Sequence, residues 1–127
     1  MGEAGSLKRW ASDFLSLAAS GQVDEAFARY VDAQSFIHHN QYVRHGRDAL
    51  KEAMKDSASR MPGRSFTVRM AIEEGDRVMT YSHIQMPGAG PAIAVVHIAR
   101  VRAGRIVELW DVGQAIAEDS PNEQGMF

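Results

Sequence analysis

The sequence predicts an α+β domain in which helices cover one face of a curved antiparallel sheet. Three observations carry this expectation: apolar residues recur at helical spacing through the first half of the chain, the period changes to two after Gly63, and the strand-like runs that follow are separated by hairpin-length turns. From Leu7 to Ala18 the residues Leu7, Trp10, Ala11, Phe14, Leu17 and Ala18 form one stripe, with Ser6 placed to cap the start and Gly21 to stop the helix. A second, shorter helix follows, because Val23, Ala26, Phe27, Tyr30 and Val31 share a face that Asp24, Glu25 and Arg29 avoid; it ends near Asp32. After the extended stretch SFIHHNQYV, Ala49, Leu50, Ala53, Met54 and Met61 mark a third helix from Arg47 to Met61, stopped by Pro62-Gly63.

The first strand alternates Phe66, Val68, Met70 and Ile72 with Thr67, Arg69 and Ala71, up to the turn signal Glu74-Gly75-Asp76. Three more strands are expected near 77–86, 92–102 and 105–116, separated by PGAGP and by Ala103-Gly104. Residues 1–127 therefore read as a single domain with an ordered core over about 7–117 and a solvated tail over 118–127.

Composition narrows the function classes. Fourteen Lys and Arg against sixteen Asp and Glu give a net charge of −2, without the basic surplus of a phosphate-backbone binder, so no nucleic-acid partner is expected. With no cysteine there is no disulfide, no thiolate nucleophile and no Cys-ligated metal. No apolar run approaches a membrane span and MGEAGSLKRW lacks a signal-peptide core, so the expectation is a cytoplasmic protein without membrane contact. Neither G-x-x-x-x-G-K nor G-x-G-x-x-G occurs, which removes the common phosphate-binding loops.

The polar residues within the strands are the informative ones, since a helix-covered sheet buries one face and a polar group there needs a reason. His83, His97 and Asp111 stand out. If Ala89 is the centre of one hairpin, His83 faces His97; if the Ala103-Gly104 turn sets the other register, His97 faces Asp111. The three would then form a row on one face of adjacent strands. A buried carboxylate beside a histidine suits proton abstraction, because the imidazole orients the carboxylate and a dry surround makes it more basic. Asp111 is the candidate base, and His83 and His97 are candidate donors to an oxygen that gains charge. The plainer reading of any one strand histidine is a satisfied core or edge residue.

In the extended stretch only one of His38 and His39 can share a given cavity, and His39 is the choice made here, with Asn40 beside it. His45 reads as a solvated loop residue. Trp10, Phe14, Phe27, Tyr30 and Met54 lie on faces that bury something; Trp10 and Phe14, with Asn40 and Tyr81, are the expected lining of a ligand pocket. Trp110 projects from the face opposite Asp111, either toward a subunit interface or under its own chain. Two histidines and a carboxylate could also ligate iron, but neither His-x-His nor H-E-x-x-H occurs, and the expectation is no metal.

These residues carry a resemblance. FIHHNQ after the second helix and RIVELWDVGQ in the last strand, in this order of helices and strands, make the chain similar to the nuclear transport factor 2-like superfamily, and within it to the SnoaL-like branch of polyketide cyclases and proteins predicted to catalyse aldol condensation. The resemblance implies a cone-shaped α+β roll, with helices in the concave face of the sheet, one apolar pocket, and a homodimer packed through the sheets. It implies a reaction without cofactor: Asp111 as general base on an acidic C–H between carbonyls of a small apolar molecule, and His39 facing the same cavity. Asn40 follows the branch pattern, whereas Gln41 stands where proline is usual, and AVVHIARV places His97 where relatives often carry an aspartate. Limonene-epoxide-hydrolase-like chemistry wants two aspartates and an arginine, of which one strand aspartate is suitably placed. Ketosteroid-isomerase-like chemistry wants an oxyanion donor, for which Tyr81 is the strand tyrosine. The expectation is a cofactor-independent acid–base enzyme of the cyclase or isomerase type, acting on a small carbonyl compound; the alternative is a ligand-binding or dimeric interaction domain without catalysis.

Overall fold

The computed structural model describes residues 6–88 and 90–127. Its helices are α1 (Ser6–Ala19), α2 (Val23–Tyr30) and α3 (Arg47–Arg60), and its strands are β1 (Ile37–His38), β2 (Ser65–Glu74), β3 (Arg77–Gln85), β4 (Ile93–Arg102) and β5 (Arg105–Ala115). The side chain of Ser6, predicted as a cap, and Ala89, predicted as a hairpin centre, lie outside the described residues.

Helix α1 stops where the sequence says it should. Gly21 takes φ 95°, a left-handed conformation that glycine adopts without a Cβ clash, and the Gln22 and Gly21 amides donate to the carbonyls of Leu17 (3.2 Å) and Ala18 (3.1 Å). Two arginines satisfy carbonyls at the end of α2: Arg47 Nη2 donates to Phe27 O at 3.1 Å and Arg105 Nη1 to Ala28 O at 2.7 Å. The apolar stripes of α1 and α2 meet in an aromatic cluster. Trp10 meets Tyr30 edge to face at 5.0 Å, Phe14 contacts both Tyr30 (5.8 Å) and Phe27 (6.1 Å), and Phe27 meets Phe36 at 6.4 Å.

The sheet runs in the order β1-β5-β4-β3-β2, and β2 to β5 form an antiparallel meander. The fifth strand was not predicted: β1 is two residues long, too short to show a period, and lies parallel to β5 with Ile37 opposite Glu108 and His38 opposite Leu109.

Two β-bulges decide which side chains face the helices. In β2 the pairing shifts between Val68, opposite Ser82, and Met70, opposite Tyr81, so Arg69 is the extra residue. Phe66 and Val68 stay on the inner face, while Met70 and Ile72, predicted to share that face, turn outward and are 50% and 51% exposed. In β5 the turn at Ala103-Gly104 pairs Arg102 with Arg105 and Val101 with Ile106, but Arg100 pairs with Glu108, making Val107 the extra residue. That one-residue shift sets His97 opposite Asp111; without it the partner of His97 would be Trp110.

The β3–β4 register differs from the expected one. His97 lies opposite Thr80, and His83 lies opposite Ala94, three residues from the predicted pairing. An odd offset reverses a side chain's face, so His83 and Tyr81 are on the outer face and His97 is on the inner one. The expected solvated tail is exposed along most of 117–125, but its end is fastened to that outer face. Tyr81 Oη donates to Met126 O at 2.7 Å, and the Phe127 ring lies 4.7 Å from Tyr81, 4.8 Å from His83 and 5.1 Å from the Arg69 guanidinium.

Candidate functional site

Between the helices and the inner face of the sheet is a cavity of about 590 Å³. Its walls are apolar, with Leu15 and Ala18 from α1, Leu50, Ala53 and Met54 from α3, and Phe66, Ile84 and Val95 from the sheet. Three polar groups converge at one end of it, Asn40 from the segment after β1, His97 from β4 and Asp111 from β5, while Asp56, Ser57, Arg60 and Arg64 line the other. A few polar groups in an apolar enclosure are what orient a small ligand.

Each polar group is held by its neighbours. The Asn40 amide Nδ2 donates to Asp111 Oδ2 at 3.1 Å, while Asn40 Oδ1 accepts from the Tyr42 amide at 2.8 Å. His97 and Asp111 are directly opposite on adjacent strands, a spacing at which side chains touch. The Phe66 ring lies 6.3 Å from the imidazole. Burial pushes His97 below its ordinary histidine range, against the weaker upward pull of the Asp111 charge, so the imidazole is neutral at pH 7. Its Nδ1 is buried without a protein partner, as are Thr80 Oγ1 beside it in the sheet and Ser82 Oγ. The remaining exposure of His97 is toward the cavity it lines.

The other predicted site residues lie elsewhere. His83 and Tyr81 support the C-terminal residues on the outer face and cannot join His97 and Asp111, which also removes the iron-ligand set of His83, His97 and Asp111. Among the described residues no group of three or more His, Asp or Glu side chains is arranged to hold a metal.

His39 also turns outward. Its Nε2 bonds Glu108 Oε2 at 2.7 Å and its ring stacks on Trp110 at 4.9 Å, whereas the inward histidine of the pair is His38, buried with Nε2 donating to Arg44 O at 2.7 Å. His39 borders a groove of about 560 Å³ at the end of β5 that Asp111 also borders, but the two are on different faces of the strand. Trp10 and Phe14 are core residues rather than pocket lining: Trp10 packs on Tyr30, and Phe14, 1% exposed, reaches only a small void of about 10 Å³ behind His97. Trp110 lies under its own chain, between His39 and the Arg77 guanidinium at 5.8 Å.

The outer-face network has a pH signature. Glu108 bonds His39 and takes two contacts of 3.0 Å from Arg100, and these hold its carboxyl below its ordinary value of 4.5, the His39 bond first. A carboxylate with a depressed folded pKa contributes stability that is complete above its unfolded pKa and lost as pH falls through the folded one. Glu108→Gln is therefore expected to lose less stability than the wild type as pH is lowered from about 4.5, read as the change in urea midpoint with pH.

Thr80, Ser82 and Arg64 were not singled out from the sequence. In VMTYSHI the hydroxyls occupy alternate positions of a strand, a pattern equally common on exposed faces, and Arg64 precedes its strand in what reads as a loop.

The fold and the placement of these groups define an α+β cone with an open, largely apolar cavity between helices and sheet, and solved structures of the same architecture exist. TsrD from Streptomyces laurentii superimposes with a TM-score of 0.73 at 18% identity, over 90% of this chain and 92% of that one. A protein from Acidithiobacillus ferrooxidans, provisionally assigned as a polyketide cyclase, gives 0.71 at 16% identity, over 90% and 92%. A nuclear transport factor 2-like protein of unknown function from Burkholderia xenovorans gives 0.69 at 20% identity, over 90% and 87%. No curated protein sequence matches significantly. Residues 11–109 match the SnoaL-like domain, and the chain belongs to that family. The matched segment ends two residues before Asp111, so the assignment rests on the helices and sheet and not on this carboxylate.

Proposed function

We propose that the cavity is an active site for cofactor-independent acid–base chemistry on a small, largely apolar carbonyl compound. The observation that supports it is the Asp111 carboxylate, oriented by Asn40 at 3.1 Å and set opposite a neutral His97 in a largely apolar cavity. Asp111 takes a proton from a carbon flanked by carbonyls, and the C–H electron pair moves onto the carbonyl oxygen. The neutral imidazole then serves as a hydrogen-bond donor to the enolate oxygen. The enolate either attacks a second carbonyl of the same molecule, closing a ring and leaving an alkoxide that takes the proton back from Asp111, or is reprotonated from Asp111 at another carbon. The likeness to a provisionally assigned polyketide cyclase is in keeping with this reading. The test is proton NMR of 1,3-dicarbonyl compounds in D₂O with catalytic amounts of protein: exchange accelerated by the wild type and not by Asp111→Asn supports it, and exchange unaffected by that change overturns it.

A homodimer through the outer sheet face belongs to the same proposal. Met70, Ile72 and Val112, the last 72% exposed, lie on that face, and a partner would cover these exposed apolar side chains. Sedimentation equilibrium is expected to give twice the 14.0 kDa chain mass for the wild type and the single mass for Ile72→Arg. A monomeric wild type would refute the dimer.

A further inference from the structure

Far from Asp111 the described residues of the cavity include one charged group outside an ion pair, beside the paired Asp56 and Arg60. Arg64 leads into β2 and lines the cavity, half-buried against the ends of two helices. Its Nε donates to Ala19 O at 3.2 Å, at the last residue of α1, and its Nη1 to Ser57 Oγ at 3.1 Å, near the end of α3. A guanidinium has five N–H donors, so these bonds leave donors over. Among the described residues no carboxylate lies within ion-pair distance of it, since Asp56, the acid lining the same end of the cavity, is paired with Arg60 at 2.9 Å. Burial alone makes its charged form more costly, with no acid offsetting that cost.

β2 and β5 are three strand spacings apart, about 14 Å across the sheet, and the strand pairing sets Arg64 about six residues further along the strands than the level of Asp111, so the two stand at opposite ends of the cavity. An apolar wall separates the two poles. We infer that Arg64 is an anion-binding group of this cavity, and that the ligand is an amphipathic molecule with an apolar body and a carboxylate at the end away from Asp111. The inference rests on the cavity being the ligand site proposed above, but not on any reaction there.

The probe is N-phenyl-1-naphthylamine, a neutral fluorophore that brightens in apolar sites, displaced by decanoate or decanol, which share a ten-carbon frame. With wild type, decanoate is expected to displace it at a concentration at least about tenfold below decanol, a difference that shrinks with added salt. In Arg64→Met, which keeps an apolar stem, the two should become equivalent while decanol is unchanged; Arg64→Lys should restore part of the preference. Equal displacement by both in the wild type overturns the inference and leaves the proposed chemistry standing. Equal weakening of both in Arg64→Met assigns the residue to holding the helix ends and also overturns it. A wild type that binds no fluorophore rejects the ligand cavity itself, and the proposed function with it.

Discussion

Asp111→Asn is expected to slow protein-catalysed exchange of a carbon acid by about 10²- to 10⁴-fold, the usual worth of a positioned base. The exchange keeps side-chain size and, through the new amide oxygen, an acceptor for the Asn40 Nδ2 donor now 3.1 Å away. Because the group is only half-buried and lines an open cavity, no buried charge is left unpaired by its removal. The unfolding free energy should therefore change by less than about 1 kcal/mol, and a neutral fluorophore should bind as before. Loss of exchange together with loss of folding would instead mark Asp111 as a structural residue. The measurement is the deuterium incorporation rate beside a urea denaturation curve on the same preparation.

Phe27→Ala is expected to lower the unfolding free energy by about 3–5 kcal/mol. Phe27 has no exposed surface and sits between α2 and three neighbours: Phe14 of α1 at 6.1 Å, Phe36 before β1 at 6.4 Å, and the Arg47 guanidinium at the start of α3, 5.5 Å above its ring. Truncation removes these contacts together and leaves Arg47, whose Nε is already buried without a partner, next to a void. The loss should appear as a lower urea midpoint with an unchanged m-value, because the surface exposed on unfolding is nearly the same. A loss below about 1 kcal/mol would mean that α1 and α3 close over the gap.

The helices were legible in the sequence because their stripes run over several turns and end in strong signals, such as Gly21 and Pro62-Gly63. The strand positions were legible for the same reason, but faces were less so. A period of two carries no memory across an extra residue, so the bulge at Arg69 moved Met70 and Ile72 to the outer face without any sign in the alternation. His83 was misplaced because a long hairpin loop leaves the register free by a residue or more; the short Ala103-Gly104 turn held the second register to within one residue, and the bulge at Val107 supplies the step that pairs His97 with Asp111. In the His38-His39 pair the sequence shows that the neighbours face opposite ways, but which one turns inward depends on how β1 pairs with β5, and that is a contact between segments about 70 residues apart. Asn40 was placed by resemblance, and its bond to Asp111 gives that placement a physical basis.

The bulge at Val107 makes the site vulnerable in a way that point substitution does not reveal. Every inner-face residue of β5 beyond it owes its orientation to one supernumerary residue. Loss of a single codon there would only remove the residue without a partner and leave Asp111 opposite His97, but gain of one between Val107 and Trp110, with the β4 pairing kept, would set Trp110 opposite His97 in the cavity and turn Asp111 to the other face. Related genes that carry one residue more in this segment should therefore differ in chemistry from those that match its length, however similar their remaining sequences, and the length of the segment between β4 and Asp111 is a better guide to which proteins share the site than overall identity.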